Sequence, residues 1–292
     1  MSEAIGKFQV LSTLGMGAHS SILRVRRSAD GRQYALKVVP IDGADDAKYL
    51  EQAEHEFTVA QKLDHPNLIK IYFLEKLKKF GLFGGVREVR LLIDYVNGKT
   101  LDQYKVLPIP ALVQIFARVA AGLAHMHRRG ICHADLKPGN IMLSRAGDVK
   151  VIDYGLAWIR GEEKNRVQGT VEYMAPEQAM KRVVNERTDI FNLGATMYRL
   201  TTFRNIPPVI APSGSGTITL KGKAWTAQVR PVVACNSEAP QALADLIHKC
   251  IAYNPNERPE FATDVQHALD ELVSQYVHSS NEKLEAMDWQ EV

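Results

Sequence analysis

An α+β fold in two lobes is what this sequence predicts: a small antiparallel β-rich front with one main helix, then a larger, mostly helical rear. Three observations carry it. Over the first ninety-odd residues short apolar–polar alternations are punctuated by turn residues, the pattern of antiparallel strands. Beyond Asn97-Gly98 the apolar residues recur at helical spacing instead, and strands segregated from helices mark the α+β class. The chain has 292 residues, about two domains at roughly 150 residues each.

Taken in order, Phe8 to Leu14 reads as a strand that runs into glycines, and Ser21 to Arg26 as a second. Asp30-Gly31 is a hairpin turn before a third, Tyr34 to Val39. From about Asp46 to Leu63 the residues Leu50, Ala53, Phe57, Ala60 and Leu63 trace one helix face, which His65-Pro66 ends. Leu68 to Leu74 and Glu88 to Val96 are two further strands. Between them, 75–87 carries Lys76, Lys78, Lys79 and Phe80 ahead of three glycines, and a long solvated hairpin is favoured over a basic-aromatic docking loop.

In the rear, helices are expected over Ala111 to Arg129, Glu177 to Ala179, Asp189 to Thr201, Pro240 to Ile251 and Phe261 to Tyr276. The stretch Ile206 to Ser237 is rich in Pro, Gly and Ser, with Thr217 to Leu220 in strand-like alternation, and an irregular, partly extended segment is expected there. The lobes thus divide as 1–97 and 98–277, with a polar tail over 278–292.

Composition narrows the function. Hydrophobic residues at 46% and charged residues at 24% exclude a disordered or collagen-like chain. Thirty-six Lys and Arg against 33 Asp and Glu leave +3, too mild a balance for a nucleic-acid or polybasic membrane protein. Cys132, Cys235 and Cys250 form no C-x-x-C pair, which points to a reduced, intracellular setting without structural zinc. No apolar stretch approaches membrane-spanning length, since Gln114 and Arg118 interrupt the most apolar helix, and Met1 to Lys7 does not read as a signal peptide. A soluble, cytoplasmic protein is the expectation.

The chemistry lies in four segments. Gly15-Met16-Gly17-Ala18-His19-Ser20 sits between two strand candidates. Glycines there let the backbone approach a phosphate chain and donate N–H groups to it, although a plain hairpin turn needs the same glycines. A dinucleotide-binding fingerprint is excluded because no helix follows. Tyr34-Ala35-Leu36-Lys37 lies on the third strand. Its lysine either points to solvent or is an internal cation for phosphate oxygens, which needs a carboxylate to hold it; Glu54 and Glu56 both lie on the next helix.

The decisive segment is His133-Ala134-Asp135-Leu136-Lys137-Pro138-Gly139-Asn140, a short loop between a helix and the apolar run Ile141-Met142-Leu143. Asp135 is placed to orient a hydroxyl nucleophile and accept its proton, Lys137 to neutralise a transferring phosphoryl group, and Asn140 to offer a neutral oxygen to Mg²⁺. Asp153-Tyr154-Gly155 follows the strand Val149 to Ile152, where the carboxylate is a natural Mg²⁺ ligand or a turn cap.

With Gly169-Thr170, Ala175-Pro176-Glu177, Asp189 and Arg258 following in order, the chain resembles the eukaryotic-type protein kinases, and in particular their bacterial Ser/Thr branch, over roughly Phe8 to Tyr276. The resemblance implies the two-lobed kinase fold and an ATP- and Mg²⁺-dependent protein Ser/Thr kinase acting on protein substrates. It implies that Lys37 binds the α/β-phosphates and pairs with Glu56, the glutamate at the family's distance from the His-Pro. Asp135 becomes the catalytic base, with Asn140 and Asp153 holding Mg²⁺ and Gly15, Gly17 and Ser20 covering the phosphates. Ile22, Ala35 and Met142 match the apolar positions around adenine, Ile93 the gatekeeper, and Asp94 and Val96 the backbone that meets the adenine edge. Lys137 with Thr170 fits the Ser/Thr class. Glu177 is expected to pair with Arg258, and Asp189 to brace the catalytic-loop backbone.

Three departures stand out. Ser20 replaces the third glycine of the loop but keeps an N–H, so ATP binding is expected to survive. Tyr154 replaces the usual Phe and adds a hydroxyl that needs a partner. Ala134 replaces the Arg that grips a phosphorylated activation loop, and between Gly155 and Gly169 there is no Ser, Thr or Tyr to carry that phosphate. Activity without activation-loop phosphorylation is therefore expected. Two competing readings are an ATP-binding pseudokinase scaffold, against which Lys37, Glu56, Asp135, Asn140 and Asp153 all stand, and a small-molecule kinase, against which Gly169-Thr170 and Ala175-Pro176-Glu177 stand.

Overall fold

Alternating side chains let one short sequence serve both faces of a sheet, and the front of the chain does this throughout. In a computed structural model, which describes residues 4–17, 19–43, 46–78, 85–163, 168–181, 183–210 and 221–279, the chain forms two compact units. The first comprises Met1–Asp64, Leu68–Asn97 and Asp153–Gly155. Its strands are β1 (Ala4–Ile5), β2 (Phe8–Met16), β3 (Ser21–Arg27), β4 (Gln33–Pro40), β5 (Ile71–Lys78) and β6 (Val86–Asp94), with helix α1 (Ala47–Ala60) between β4 and β5 in sequence. They build one antiparallel sheet in the order β1-β2-β3-β4-β6-β5.

Register assigns the two faces. Ile22 lies opposite Lys37 across β3 and β4, and Ala35 lies opposite Ile93 across β4 and β6. Directly opposed residues share a face, as do i and i+2 on one strand, so Ile22, Ala35, Lys37 and Ile93 line one side. Val25, Tyr34, Leu36 and Leu92 take the other side and form a core cluster with Ile5, Phe8, Val10, Leu23 and Val38. Helix α1 contacts β4, β5 and β6 and buries Ala53, Glu56, Val59 and Ala60.

The expected solvated hairpin is shorter than 75–87. Glu75, Lys76 and Leu77 continue the β5 ladder opposite Arg90, Val89 and Glu88, and their charges find partners: Arg90 lies 3.6 Å from Glu75 and Lys76 pairs with Glu54. Lys79 and Phe80 lie outside the described residues. At its start β5 loses Leu68, Ile69 and Lys70, of which Leu68 and Ile69 are buried ahead of the strand.

The second unit comprises His65–Asn67, Gly98–Ile152 and Leu156–Val292. It contains β7 (Gly98–Thr100), α2 (Ile109–His127), β8 (Ile131–Cys132), β9 (Ile141–Ser144), β10 (Val149–Val151), β11 (Trp158–Ile159), α3 (Pro176–Lys181), α4 (Glu186–Thr202), α5 (Gly222–Thr226), α6 (Val232–Cys235), α7 (Gln241–Cys250) and α8 (Ala262–Ser279). Small sheets β10-β9-β7 and β11-β8 hold the loops, while α2 packs on α8 and α4, and α4 on α7.

Helix α2 corrects one expectation: with 19 residues it is long and apolar enough by length and composition to cross a membrane. Its most apolar window is 78% buried, as befits a core helix. Helix α4 starts at Glu186 rather than Asp189 because Asn185 caps it, accepting from the N–H of Arg187 and Thr188 while the Thr188 hydroxyl accepts from the Asn185 N–H.

The stretch expected to be irregular and partly extended holds two short helices, α5 and α6. Trp225 explains the first: its ring is buried near Phe191 and Tyr253, and its Nε1 donates to the Pro207 carbonyl at 2.8 Å, so a helical turn forms around one large anchor. The strand-like Thr217 to Leu220 and the polar tail beyond Ser279 lie outside the described residues.

Candidate active site

In the first unit the charged centre is Lys37. Its Nζ donates to Glu56 Oε2 at 2.7 Å, and Glu56 is only 3% exposed. Glu54 lies two residues earlier, about 200° away around the helix, and pairs with Lys76 instead. Burial disfavours the Lys37 ammonium, yet the carboxylates of Glu56 and Asp153 outweigh it and hold the Lys37 pKa above its ordinary value.

Asp153 adopts a left-handed backbone conformation, φ 67°, and its Oδ1 accepts from the Gly155 N–H at 3.1 Å. That bond fixes one carboxylate oxygen. The added hydroxyl of Tyr154 has the partner it needs: it is fully buried and donates to the Ile69 carbonyl at 3.0 Å, and burial pushes its pKa well up.

Between β2 and β3 the glycine segment closes as a tight turn, with the Gly17 N–H donating to the Ser20 carbonyl at 2.7 Å. Gly15 sits at the strand end opposite Ile22, and His19 stacks on Tyr49 of α1 at 4.1 Å. Along the Lys37 face, Ala35 is buried and Ile22 and Ile93 are half-buried. At the end of β6 the Asp94 N–H donates to the Lys70 carbonyl at 2.9 Å, and Val96 follows, half-buried.

In the second unit the loop from β8 to β9 gathers Asp135, Lys137, Asn140 and Thr170 into one network. Asp135 Oδ1 accepts from both the N–H and the hydroxyl of Thr170, each at 2.8 Å. Lys137 Nζ lies 3.0 Å from Asp135 Oδ2 and donates to Thr170 Oγ1 at 2.7 Å. Asn140 Nδ2 donates to the Asp135 carbonyl at 2.9 Å, which commits the nitrogen end of the amide and orients its oxygen. Met142 follows on β9, half-buried opposite Lys150 and Thr100.

The loop is held from beneath. Asp189 on α4, with no exposed surface, accepts from the N–H of His133 and of Ala134 at 2.8 Å each, and from His127 Nε2 at 2.8 Å. Burial alone would push its carboxyl up; the His127 hydrogen bond, the charges of His127 and His133, and the Ala134 N–H outweigh burial and hold its pKa below the ordinary value. Arg258 forks onto Glu177 at 2.8 and 2.9 Å, both side chains buried, and Thr188 Oγ1 donates to the same carboxylate at 2.9 Å.

Sequence reasoning passed over His127 and Gln178. In the sequence His127 is only a polar residue near the end of an apolar helix, and Gln178 only the residue after Ala175-Pro176-Glu177; neither signal names a partner. Among the described residues, His127, Cys132 and Asp189 also lie within metal-binding reach of one another. Both Asp189 oxygens are already engaged by N–H donors, so this cluster is a brace for the loop.

The donor chemistry fits a nucleotide with Mg²⁺. In the first unit Asp153 offers a carboxylate and in the second Asn140 offers an amide oxygen, each a hard donor of the kind that Mg²⁺ takes. Lys37 is a largely buried cation whose partner fixes it on the apolar face of Ile22, Ala35 and Ile93, suited to phosphate oxygens beside an aromatic base.

Comparison with known proteins gives the family. The family model described as a protein kinase domain matches residues 8–269. Serine/threonine-protein kinase PrkC of Bacillus subtilis is 28% identical over 269 residues, covering 89% of this chain and 40% of its own length. A probable serine/threonine-protein kinase of Streptomyces coelicolor is 31% identical over 219 residues, 71% of this chain and 32% of its own length. The probable serine/threonine-protein kinase PknB of Bifidobacterium longum is 29% identical over 275 residues, 89% of this chain and 39% of its own length. The chain therefore spans less than half the length of these relatives.

Proposed function

Since the chain belongs to the protein kinase domain family, we propose that it transfers the γ-phosphoryl group of ATP to Ser and Thr hydroxyls of proteins, with Mg²⁺, and that it does so without phosphorylation of its activation loop. The observation that carries this reading is the Asp135 carboxylate held by Thr170 and Lys137. Thr170 holds one carboxylate oxygen with two donors and Lys137 lies 3.0 Å from the other, so the carboxylate has one fixed orientation in which to meet an incoming hydroxyl.

When bound, Mg-ATP supplies the phosphoryl group, and the metal offsets charge on its oxygens. Asp135 orients the substrate hydroxyl and takes its proton. Lys137 stabilises the charge that develops on the transferring group, and the Thr170 hydroxyl holds both side chains in register. Lys37, fixed by Glu56, binds the α/β-phosphate oxygens; Asp153 and Asn140 each give an oxygen to Mg²⁺. Of the first unit, Ile22, Ala35 and Ile93 would take the adenine ring, the backbone of Asp94 and Val96 its edge, and the turn of Gly15, Gly17 and Ser20 the phosphates; of the second, Met142 would take the ring.

Incubation with labelled Mg-ATP, alone and then with a cell lysate, followed by phosphosite mapping, tests the reading. Label is expected on Ser and Thr, and Asp135→Asn is expected to abolish it while nucleotide affinity stays nearly intact. Wild-type turnover in Asp135→Asn removes that residue from the catalytic role, and tight Mg-ATP binding with no transfer to any protein overturns the kinase reading.

A further inference from the structure

We propose that Gln178 is a positioning residue that fixes the end of the activation segment to the catalytic loop by hydrogen bonds that need no phosphate. The proposal deepens the kinase reading and rests on it. Gln178 is only 1% exposed, and one amide makes three hydrogen bonds. Its Nε2 donates to the Ala134 carbonyl at 2.7 Å and to the Gln168 carbonyl at 2.9 Å, while its Oε1 accepts from the Ala175 N–H at 3.3 Å. The opposite amide orientation would set an oxygen against two carbonyls and a nitrogen against an N–H, so the assignment is unambiguous. One neutral side chain ties the catalytic loop, the activation segment and the start of α3 together.

The backbone on both sides of this amide is in conformations that need support. Ala134 is left-handed at φ 63°, uncommon for a residue with a β-carbon. Its N–H goes to Asp189 and its carbonyl to Gln178, so both of its polar groups are held by side chains. Gly169 has φ 128°, and a β-carbon there would lie 2.9 Å from Gln178 Nε2. A side chain at 169 would be strained at this φ and would push the amide off its bonds. The next residue is Thr170, whose N–H and hydroxyl meet Asp135. Gln178 thus holds the residue before Gly169 and Asp135 the residue after it.

The sequence explains the need. An arginine before the catalytic Asp grips a phosphate only when a kinase has placed one there, whereas an amide holding two carbonyls is always engaged. With Ala134 in the arginine's position and no hydroxyl residue from Leu156 to Gln168, the two segments are joined by bonds that no phosphatase can release.

The test uses the full chain and two variants. Gln178→Leu removes all three bonds at similar volume. Gln178→Glu keeps the shape, so it serves as well where the leucine variant does not fold; its carboxyl donates to Ala134 when protonated and is repelled by both carbonyls when ionised. Amide hydrogen exchange, without nucleotide, is expected to quicken about tenfold or more at Gly169 to Tyr173 in either variant at neutral pH, with α2 and α8 unchanged. The kcat is expected to fall by roughly 10- to 100-fold with KM for ATP little changed, and for Gln178→Glu the loss should deepen as pH rises. A merely structural role predicts faster exchange everywhere and no pH-dependent split. Unchanged local exchange, or local loosening with wild-type kcat, overturns the proposal. If the wild type transfers no phosphoryl group, the kinase reading fails, and the exchange comparison still decides the role of Gln178.

Discussion

Lys37 shows how one residue's charge depends on two others. Its ammonium is kept ionised despite burial by Glu56 and Asp153, so Lys37→Met removes a phosphate partner and leaves Glu56 unpaired. Steady-state rates should fall by roughly 10²–10³. Glu56→Ala should follow it and Glu54→Ala should not, because Glu54 pairs with the half-exposed Lys76; the reverse order would exchange the two carboxylates' roles. Asp189 gives a pH prediction. Its folded pKa lies below the ordinary 3.8, so its contribution to stability is complete above the unfolded value and is lost as pH falls through the folded one. Urea midpoints should decline more steeply for the wild type than for Asp189→Asn between about pH 5 and pH 2. Parallel declines would count against the brace.

Among elements, α3 and α4 are joined to the loop before α8 by the Arg258–Glu177 fork. Arg258 also bonds the Ala252 and Arg187 carbonyls and lies over the Phe191 ring at 4.7 Å. Arg258→Met keeps the packing but leaves Glu177 a buried, uncompensated carboxylate. Equilibrium denaturation should show a loss of about 3–5 kcal/mol, and a loss under about 1 kcal/mol would place the pair with surface salt bridges. Helix α5 shows the opposite weighting: five residues with weak local signals form a turn because Trp225 buries its ring and satisfies its N–H. Gly194 on α4 marks a close helix contact, since a β-carbon there would meet Cys250 Cβ at 2.6 Å.

For the whole molecule, the catalytic-loop network closes within one unit through Asp135, Lys137, Thr170, Gln178 and Asp189, and no bond in it needs a phosphate. Exhaustive phosphatase treatment, verified by mass spectrometry, should therefore leave initial rates unchanged. A large loss of activity mapping to a phosphosite between Gly155 and Thr170 would overturn this.

The α+β order and the chemical segments were legible in the sequence because they are local: strand alternation, the helix stop at His65-Pro66, and the polar groups crowded between His133 and Asn140 depend only on neighbours along the chain. The resemblance then chose Glu56 over Glu54, which spacing alone had left open. The rest required the path of the chain. Whether Lys37 faces solvent or a carboxylate depends on the phase of α1 against the sheet; the helical turn at Gly222–Thr226 depends on a pocket beside Phe191 and Tyr253; and Gln178 acquires its role only where residues 134, 168 and 175 converge. Such contacts join residues tens of positions apart, and their geometry follows from packing, which no local pattern encodes.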